Sequence, residues 1–201
     1  MNLKLHKFLF RYRAFPYLML LPVLFLDNHW LLTDRSIIFG IGPTILLIGV
    51  ILRLWCIRYI GGAARVKDKA ATKRMLVTGG PYGYCRNPIY IANIIMLAGA
   101  SIMMKLLWMA PVIVITIFLW YHLIIKYEES ILQNIYGEDY IRYASDTPRW
   151  MPSLKAKRLN MTAEKIELFP WVKMLKYERG GVGNMILVIT LSLIKEFLLY
   201  P

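Results

Sequence analysis

The chain has 201 residues and a formal net charge of +13, from 25 lysines and arginines against 12 aspartates and glutamates, yet 58% of its residues are hydrophobic. Soluble domains distribute apolar residues in periodic stripes, whereas this chain has long apolar runs close to the roughly 20 residues that a membrane-crossing helix needs. This pattern excludes an ordinary soluble domain. Because the basic residues flank apolar runs instead of forming one continuous face, a nucleic-acid partner is also excluded.

Five apolar runs predict an all-α, polytopic membrane helix bundle of about five transmembrane helices. In chain order they are Ala14 to Leu32, Ile37 to Ile60, Ile89 to Met104, Leu106 to Ile125, and Met185 to Leu199. The second and fourth runs are the clearest in length and composition. The fifth contains Lys195 and Glu196 near its end, which leaves a helix lying in the membrane interface as an alternative to a crossing.

Basic residues between the runs predict the orientation of the chain, because positive residues in short loops resist translocation. They cluster in the N-terminal segment, after the second run and after the fourth run. We therefore expect a multi-pass protein, of the kind found in a bacterial or archaeal inner membrane, with its N-terminus and its basic connecting loops on the cytoplasmic side. The first run is long and lacks a small-residue cleavage pattern, which favours a permanent helix over a signal peptide.

The same pattern predicts three parts of the chain. Residues 1–36 form a basic segment and the first helix, and residues 37–154 form a core of three transmembrane helices with cytoplasmic loops. Residues 155–201 combine a cytoplasmic polar segment with the last helix. Within this third part, Met161 to Tyr177 is compatible with an amphipathic interfacial helix of mixed charge.

Four side chains in or near the apolar runs have structural explanations. Arg53 costs roughly 2.5–3.5 kcal/mol at the centre of a membrane helix, so we expect it to snorkel or to face a partner inside the bundle. His122 is a lone histidine on an apolar helix, which favours packing over catalysis. Cys56 and Cys85 have neither metal-ligand spacing nor a disulfide framework, so we expect free thiols.

A loop from Leu76 to Tyr90 contains three glycines and two prolines, which fix turns and let a ligand approach the backbone. Pro88 suits the first turn of the third helix, with Asn87 as its N-cap. A helix N-terminus favours a carboxylate ligand, and Arg86 beside it adds a bidentate donor. The alternative is a tight re-entry turn that places Arg86 at the lipid headgroups.

A second polar cluster, Lys126-Tyr127-Glu128-Glu129, is expected at the end of the fourth helix. Acids are unfavourable at the negative end of a helix dipole, so a compensating partner or ligand is expected. Glu128 lies seven residues after Tyr121, on nearly the same face, where a carboxylate accepts from an amino group and a ring attracts a sulfonium. The alternative is a helix end emerging into water with solvated carboxylates.

Together the motifs resemble those of the isoprenylcysteine carboxyl methyltransferases and phospholipid N-methyltransferases, small membrane enzymes that use S-adenosylmethionine. The resemblance extends over residues 40 to 155. The matching segments follow the family order: Leu76-Val77-Thr78, Gly80-Pro81-Tyr82, Arg86-Asn87-Pro88-Ile89-Tyr90, Glu128-Glu129, Gly137-Glu138-Asp139-Tyr140, and Pro148-Arg149 followed by Pro152.

The resemblance implies S-adenosylmethionine as cofactor and a lipid-like or prenylated methyl acceptor at the cytoplasmic membrane face. The residues that it assigns to the cofactor are Arg74, Met75, Leu76, Val77, Tyr82, Asn87, Pro88, Ile89, Tyr90, Glu128, Tyr140, Pro148 and Arg149. Of these, Asn87 to Tyr90 hold the methionine end and Glu128 binds the amino group. Arg86 is the candidate for orienting or neutralising the substrate.

Departures from the family pattern bear on the acceptor. Asn87 replaces a common histidine and Ala92 a frequent glycine, while Ile124 stands where eukaryotic carboxyl methyltransferases have an arginine one turn before the first acid. This last difference disfavours a prenylcysteine carboxylate, and both O- and N-methylation stay open. Two further alternatives are an NADPH-dependent membrane sterol or enone reductase, whose C-terminal motifs are similar, and a non-catalytic membrane scaffold of the same fold.

Overall fold

The computed structural model describes residues 37–61, 76–106, 110–153, 168–194 and 197. All regular elements within these ranges are helical, which confirms the all-α class for them. A π-helical turn at Ile37–Ile41 leads into the first helix, and a 3-10 turn at Gly80–Gly83 precedes the second. The α-helices are α1 (Gly42–Ile60), α2 (Pro88–Met103), α3 (Ala110–Tyr136), α4 (Glu138–Asp146), α5 (Trp171–Tyr177) and α6 (Arg179–Ile194).

Among the described residues, two helical segments are long and apolar enough to cross a membrane, Ile38–Ile60 with 23 residues and Pro111–Tyr136 with 26. They correspond to the second and fourth predicted runs. The apolar helix α2 has 16 residues, a length of about 24 Å at 1.5 Å per residue. This is shorter than the roughly 30 Å of bilayer hydrocarbon, so a crossing by α2 needs neighbouring residues. The first run, Ala14 to Leu32, lies outside the described residues.

Helix α3 ends later than the sequence indicated. The apolar run stops at Ile125, but the helix continues to Tyr136 and stops at Gly137, whose φ of +53° is a backbone conformation that favours glycine. The expectation that Glu128 and Glu129 lie at the helix end is therefore wrong. The run ends because the sequence becomes polar, and good helix formers extend the helix beyond it.

Helices α1 and α2 pack with their backbones almost in contact. A Cβ atom placed on Gly99 of α2 would lie 2.5 Å from the backbone nitrogen of Leu46 in α1, closer than any real contact. Buried Leu46, Met96 and Met103 fill the space beside this point. Such small-residue contacts allow the close packing on which helix association in lipid depends, and this one fixes the position of α2 relative to α1.

A second core lies between α2 and α3. It contains Tyr90, Leu97, Ile117 and Tyr121 among other buried side chains. Ile124 belongs to this core and is 0% exposed. Ile124 therefore packs against apolar side chains between α2 and α3.

The C-terminal segment, which we define as residues 168–194, packs against the end of α1. The backbone N–H of Phe169 donates to the Arg58 carbonyl at 2.9 Å, and the Arg58 guanidinium lies 4.3 Å from the ring centroid of Trp171, a cation–π distance. Helix α5 covers only the last part of the predicted amphipathic helix, whose residues 161–167 lie outside the described residues. Helix α6 begins six residues before the fifth predicted run.

Candidate active site

The turn before α2 is fixed by a glycine. Gly80 has φ of +58°, and a Cβ atom there would lie 2.5 Å from ring atoms of Tyr59. Only glycine allows both this backbone conformation and this approach. The turn buries Tyr82 directly after Pro81, and burial raises the pKa of Tyr82 well above its ordinary value, so its phenol remains neutral.

The loop that contains Arg86 is attached to the segment after α4 by backbone hydrogen bonds. The Arg86 N–H donates to the Pro148 carbonyl at 2.9 Å, and the Ser153 N–H donates to the Tyr84 carbonyl at 2.9 Å. The Tyr143 hydroxyl donates to the Tyr82 carbonyl at 2.7 Å. Two segments more than fifty residues apart in sequence are thereby held as one surface.

Cys85 is a buried free thiol, as expected, and so is Cys56. The Cys85 Sγ lies 3.4 Å from the carbonyl oxygen of Arg149 and 3.3 Å from that of Trp150. Burial raises the pKa of Cys85, which keeps the thiol protonated as a donor. Cys85 thus contributes to holding the backbone that carries Arg149.

Asn87 occupies the N-cap position of α2, but its side chain makes no capping hydrogen bond. Its Nδ2 instead faces two acceptors, the Glu129 carboxylate at 3.5 Å and the Arg149 carbonyl at 3.3 Å. The predicted position is confirmed and the expected capping role is wrong. The physical reason is that a buried carboxylate attracts the donors around it.

Glu129 is the centre of a buried ionic cluster. Arg149 donates to its carboxylate in bidentate fashion, from Nε at 3.1 Å and Nη2 at 2.6 Å. The Nη1 of Arg86 lies 3.5 Å from the same carboxylate. The hydrogen bond to Glu129 raises the pKa of Arg149. Two cations around one acid leave this cluster with an excess of positive charge.

Glu128 has a different environment from its neighbour. It is half-buried, and its Oε2 accepts a hydrogen bond of 2.9 Å from the Tyr90 hydroxyl. The Tyr90 ring in turn packs against the Tyr121 ring, with centroids 4.7 Å apart and planes at 52°. The predicted shared face of Tyr121 and Glu128 is confirmed. An acid and two aromatic rings therefore meet where α2 begins.

An open cavity of about 340 Å³ lies on the Glu129 side of α3. The lining residues are Arg86, Lys126, Glu129, Ser130, Gln133, Tyr140, Ile141, Ala144 and Arg149. Burial raises the pKa of Tyr140 to about 12, so its hydroxyl is neutral at physiological pH. The three cationic side chains outnumber the one carboxylate.

The structure brings most of the predicted site residues together around the part of α3 that continues beyond the apolar run. They are Tyr82, Arg86, Asn87, Tyr90, Glu128, Tyr140, Pro148 and Arg149. Pro88 and Ile89 begin α2, and half-buried Leu76 and Val77 precede the Gly80 turn. Arg74 and Met75 lie outside the described residues.

Several side chains in or near the site were missed from the sequence. Gln133 faces the cavity from α3, where its spacing of four residues from Glu129 was the available signal. Lys126, which belongs to the predicted polar cluster, lines the same cavity. Tyr143 was missed because its partner is a backbone carbonyl sixty-one residues away. Arg53 was expected to have a structural partner, and it makes an ion pair with Glu178.

A family profile described as phospholipid methyltransferase matches residues 37–139, just over half of the chain. The chain belongs to the phospholipid methyltransferase family. Of the site residues, the matched range of this family includes Tyr82, Asn87, Tyr90 and Glu128. Tyr140 follows directly after this range, and Arg149 lies ten residues beyond its end.

Curated relatives of this family member include two bacterial proteins and one plant protein. The chain is 31% identical over 143 residues to the cobalt-zinc-cadmium resistance protein CzcN of Cupriavidus metallidurans, covering 69% of this chain and 61% of the relative. It is 29% identical over 136 residues to the nickel-cobalt-cadmium resistance protein NccN of Alcaligenes xylosoxydans xylosoxydans, covering 68% and 58%.

The plant relative is protein-S-isoprenylcysteine O-methyltransferase B of Arabidopsis thaliana, 28% identical over 129 residues, covering 63% of this chain and 62% of the relative. The chain thus spans between 58% and 62% of the length of these three proteins. No solved structure matches the chain.

Proposed function

We propose that the protein is an integral membrane methyltransferase that uses S-adenosylmethionine to methylate a lipid-like or prenylated acceptor. The observation that carries this proposal is the 2.9 Å hydrogen bond between Tyr90 and Glu128. This hydrogen bond holds the Glu128 carboxylate of α3 beside the first turn of α2. A ligand that carries both an ammonium and a carboxylate can then place the ammonium at Glu128 and the carboxylate at the helix N-terminus. Family membership and the 28% identity to the plant methyltransferase support the reaction class.

The described residues offer both halves of zwitterion recognition. Arg86 and the N-terminal turn of α2 suit a carboxylate, because helix N-termini and guanidinium groups both favour anions. Glu128 suits the ammonium. The rings of Tyr90 and Tyr121 lie on the Glu128 side, where an aromatic face attracts a sulfonium. The donor and acceptor groups present therefore fit the amino-acid end of S-adenosylmethionine.

The remaining predicted cofactor residues complete the proposal. Arg74, Met75, Leu76, Val77 and Tyr82 are proposed to contact the cofactor, and Asn87, Pro88 and Ile89 form the turn that receives its methionine end. Tyr140, Pro148 and Arg149 close the pocket. The backbone hydrogen bonds between the Arg86 loop and residues 148–153 support this grouping, because they hold Asn87 and Pro88 beside Pro148 and Arg149.

When bound, S-adenosylmethionine supplies an electrophilic methyl group. The protein then has to align acceptor and donor and exclude water from the site. Buried Tyr82 and Tyr140 remain neutral and keep bulk solvent from this side, while Arg86 orients the acceptor. No proton acceptor among the side chains is needed for a carboxylate, whereas an amine has to lose a proton before it attacks.

The cavity beside Glu129 supports an acceptor with an anionic group. Arg149 makes the bidentate contact with Glu129. Arg86, whose Nη1 lies 3.5 Å from the same carboxylate, and exposed Lys126 add two further cations to the cavity lining. Ile124 is buried in the α2–α3 core. This position therefore offers no cation to the acceptor, unlike the arginine that the resemblance gives to eukaryotic carboxyl methyltransferases. We therefore expect Lys126 and Arg86 to bind the anionic group of the acceptor.

The membrane arrangement is part of the proposal. The core comprises residues 37–154, preceded by a first helix in residues 1–36 and followed by the segment 155–201 with a fifth helix. The N-terminus and the site face the cytoplasm, where basic loops are retained. The continuation of α3 past Ile125 supports this arrangement, because it carries the site residues out of the apolar run toward that side.

Methyl transfer from tritiated S-adenosylmethionine into a total lipid extract, with purified protein in detergent, tests the proposal. Glu128→Gln removes the charge but keeps a hydrogen-bond acceptor for Tyr90. The matched control is Asp139→Asn, an exposed carboxylate in the first turn of α4. We expect label in the organic phase with wild type and Asp139→Asn, and at least a tenfold loss with Glu128→Gln. Absence of both label and cofactor binding would favour a reductase or a scaffold instead.

A further inference from the structure

A charged contact links the C-terminal segment to α1. The Nε of Arg53 donates to Glu178 Oε2 at 2.8 Å and its Nη2 to Oε1 at 3.1 Å, the bidentate geometry of a strong pair. The Glu178 side chain is 8% exposed and that of Arg53 is 21% exposed. Because removal of either partner strands a charge in a poorly hydrated place, the two side chains hold each other.

Arg53 also contacts α2. Its Nη1 donates to the side-chain oxygen of Asn93 at 2.5 Å. With that oxygen occupied, the Nδ2 of Asn93 faces α3, where it lies 3.4 Å from the Tyr121 hydroxyl. One guanidinium therefore connects Glu178 with side chains of α2 and α3.

The connection ends at the candidate active site. Tyr121 is buried, and its ring packs against Tyr90, which donates to Glu128. Asn93 lies three residues after Tyr90, one turn along the same helix, so the two side chains are neighbours. We call Glu178, Arg53, Asn93 and Tyr121 the polar relay. It runs from the C-terminal segment to the pair proposed to bind the cofactor.

We propose, on the basis of the proposed function, that Arg53 is a positioning residue for the Tyr90–Glu128 pair and that Glu178 makes the C-terminal segment part of the active site. Glu178 lies beyond residues 37–139, the range matched to the family, whereas Arg53 and Asn93 lie within it. Glu178 of the C-terminal segment thus binds the Arg53 side chain, which lies with Asn93 inside the range matched to the family. Arg53 acts through Asn93 and Tyr121 and touches no reacting group.

The physical reason is geometric. A guanidinium that loses its carboxylate turns toward other acceptors, and Asn93 then loses the partner that orients its amide. Without that amide, the Tyr121 hydroxyl loses one of the contacts that fix the rotation of its ring, and Tyr90 follows because the two rings are in contact. Small displacements of groups that hold a ligand reduce its binding steeply. Affinity for the cofactor is therefore the most direct readout.

Calorimetric titration of S-adenosylmethionine into the full-length protein tests the relay. Glu178→Gln removes the negative charge at the C-terminal end of the relay. Lys173→Gln is the matched control, because it removes the charge of an exposed residue in the same segment. We expect about tenfold weaker binding for Glu178→Gln, recovery to near wild type with Glu178→Asp, and no change for Lys173→Gln. The same loss appears as a higher KM for the cofactor with kcat little changed.

Tyr121→Phe provides a second test that leaves the ion pair intact. It deletes only the hydroxyl that faces Asn93 and keeps the ring against Tyr90, so the variant folds even if Glu178→Gln does not. We expect about threefold weaker cofactor binding. Wild-type affinity in a folded Tyr121→Phe variant, or in a folded Glu178→Gln variant, overturns the positioning role.

A thermal double-mutant cycle separates this inference from the proposed function. If wild type binds no S-adenosylmethionine, the proposed function fails, and the relay is then judged from Glu178→Gln and Tyr90→Phe alone. Distant independent changes lower the melting temperature additively, whereas changes within one network do not. A non-additive cycle supports the relay, and additive shifts overturn it.

Discussion

The two adjacent acids of α3 offer the sharpest test of how the site is built. Glu129 carries the bidentate contact with Arg149 and faces Arg86, while its side chain is 10% exposed. Replacement by glutamine keeps the volume and leaves two arginines around a neutral amide. Glu128→Gln removes a charge one residue away, where the Glu128 carboxylate accepts a hydrogen bond from the neutral Tyr90 hydroxyl.

The magnitude follows from these contacts. Loss of charged hydrogen bonds costs about 1.5–3 kcal/mol, and stranding a buried charge costs about 3–5 kcal/mol. The Arg149 side chain is 31% exposed, so water solvates part of the stranded charge. We therefore expect Glu129→Gln to destabilise the protein by about 2–3 kcal/mol, a fall of roughly 5–10 °C in melting temperature. For Glu128→Gln we expect less than about 1 kcal/mol.

The assay is thermal unfolding of both variants in one detergent, followed by tryptophan fluorescence, with calorimetric cofactor binding measured on the folded fraction. Glu129→Gln should unfold early, and Glu128→Gln should unfold near wild type but bind the cofactor at least tenfold more weakly. Equal melting temperatures for the two variants, or unchanged binding by Glu128→Gln, would refute the separation of their roles.

Three further predictions concern packing and protonation. Gly99→Ala should destabilise the protein by about 1–3 kcal/mol in thermal unfolding, because its Cβ meets the α1 backbone at Leu46; an unchanged melting temperature contradicts the close packing. The pKa of Tyr140 is raised from 10.0 to about 12, so its contribution to stability is present below pH 10 and is lost as the pH rises to about 12; melting curves across this range test the loss, and a flat profile contradicts it. Buried Cys85 should react with iodoacetamide more slowly in the native protein than after unfolding, and equal rates would show that it is accessible.

The sequence predicted those parts of the fold that depend on local hydrophobicity. The long apolar runs of α1 and α3 and the Pro88 start of α2 were all apparent, because run length and proline position are local signals. The end of α3 was not apparent. Hydrophobicity reports where a helix leaves the lipid, whereas the helix itself ends at Tyr136, eleven residues after the apolar run.

In the candidate site, too, the features that depend on local sequence signals were predicted and those that depend on distant partners were not. Tyr90 and Glu128 were placed together through the family motifs and the helical spacing. The different roles of Glu128 and Glu129 could not be predicted, since neighbouring residues on a helix face directions about 100° apart and their partners come from other segments. Asn87 was placed correctly at the helix start, but the buried Glu129 carboxylate determines where its amide points.

Long-range polar contacts were the least predictable feature. Arg53 required a partner by its position in an apolar run, and the sequence offered no means of choosing Glu178, which lies 125 residues away. The contact between Arg53 and Asn93 could not be predicted from the sequence either, because an asparagine in an apolar helix has many possible partners. Such contacts depend on the tertiary arrangement of α1, α2 and the C-terminal segment.

The most direct test of the central claim is equilibrium binding of S-adenosylmethionine to purified wild-type protein and Glu128→Gln, measured by titration calorimetry with Asp139→Asn as control. We predict saturable one-site binding by wild type and the control, and at least tenfold weaker binding by a Glu128→Gln variant that melts at the wild-type temperature. No binding by folded wild-type protein, or equal affinity in all three proteins, would contradict the assignment of Glu128 to the cofactor site.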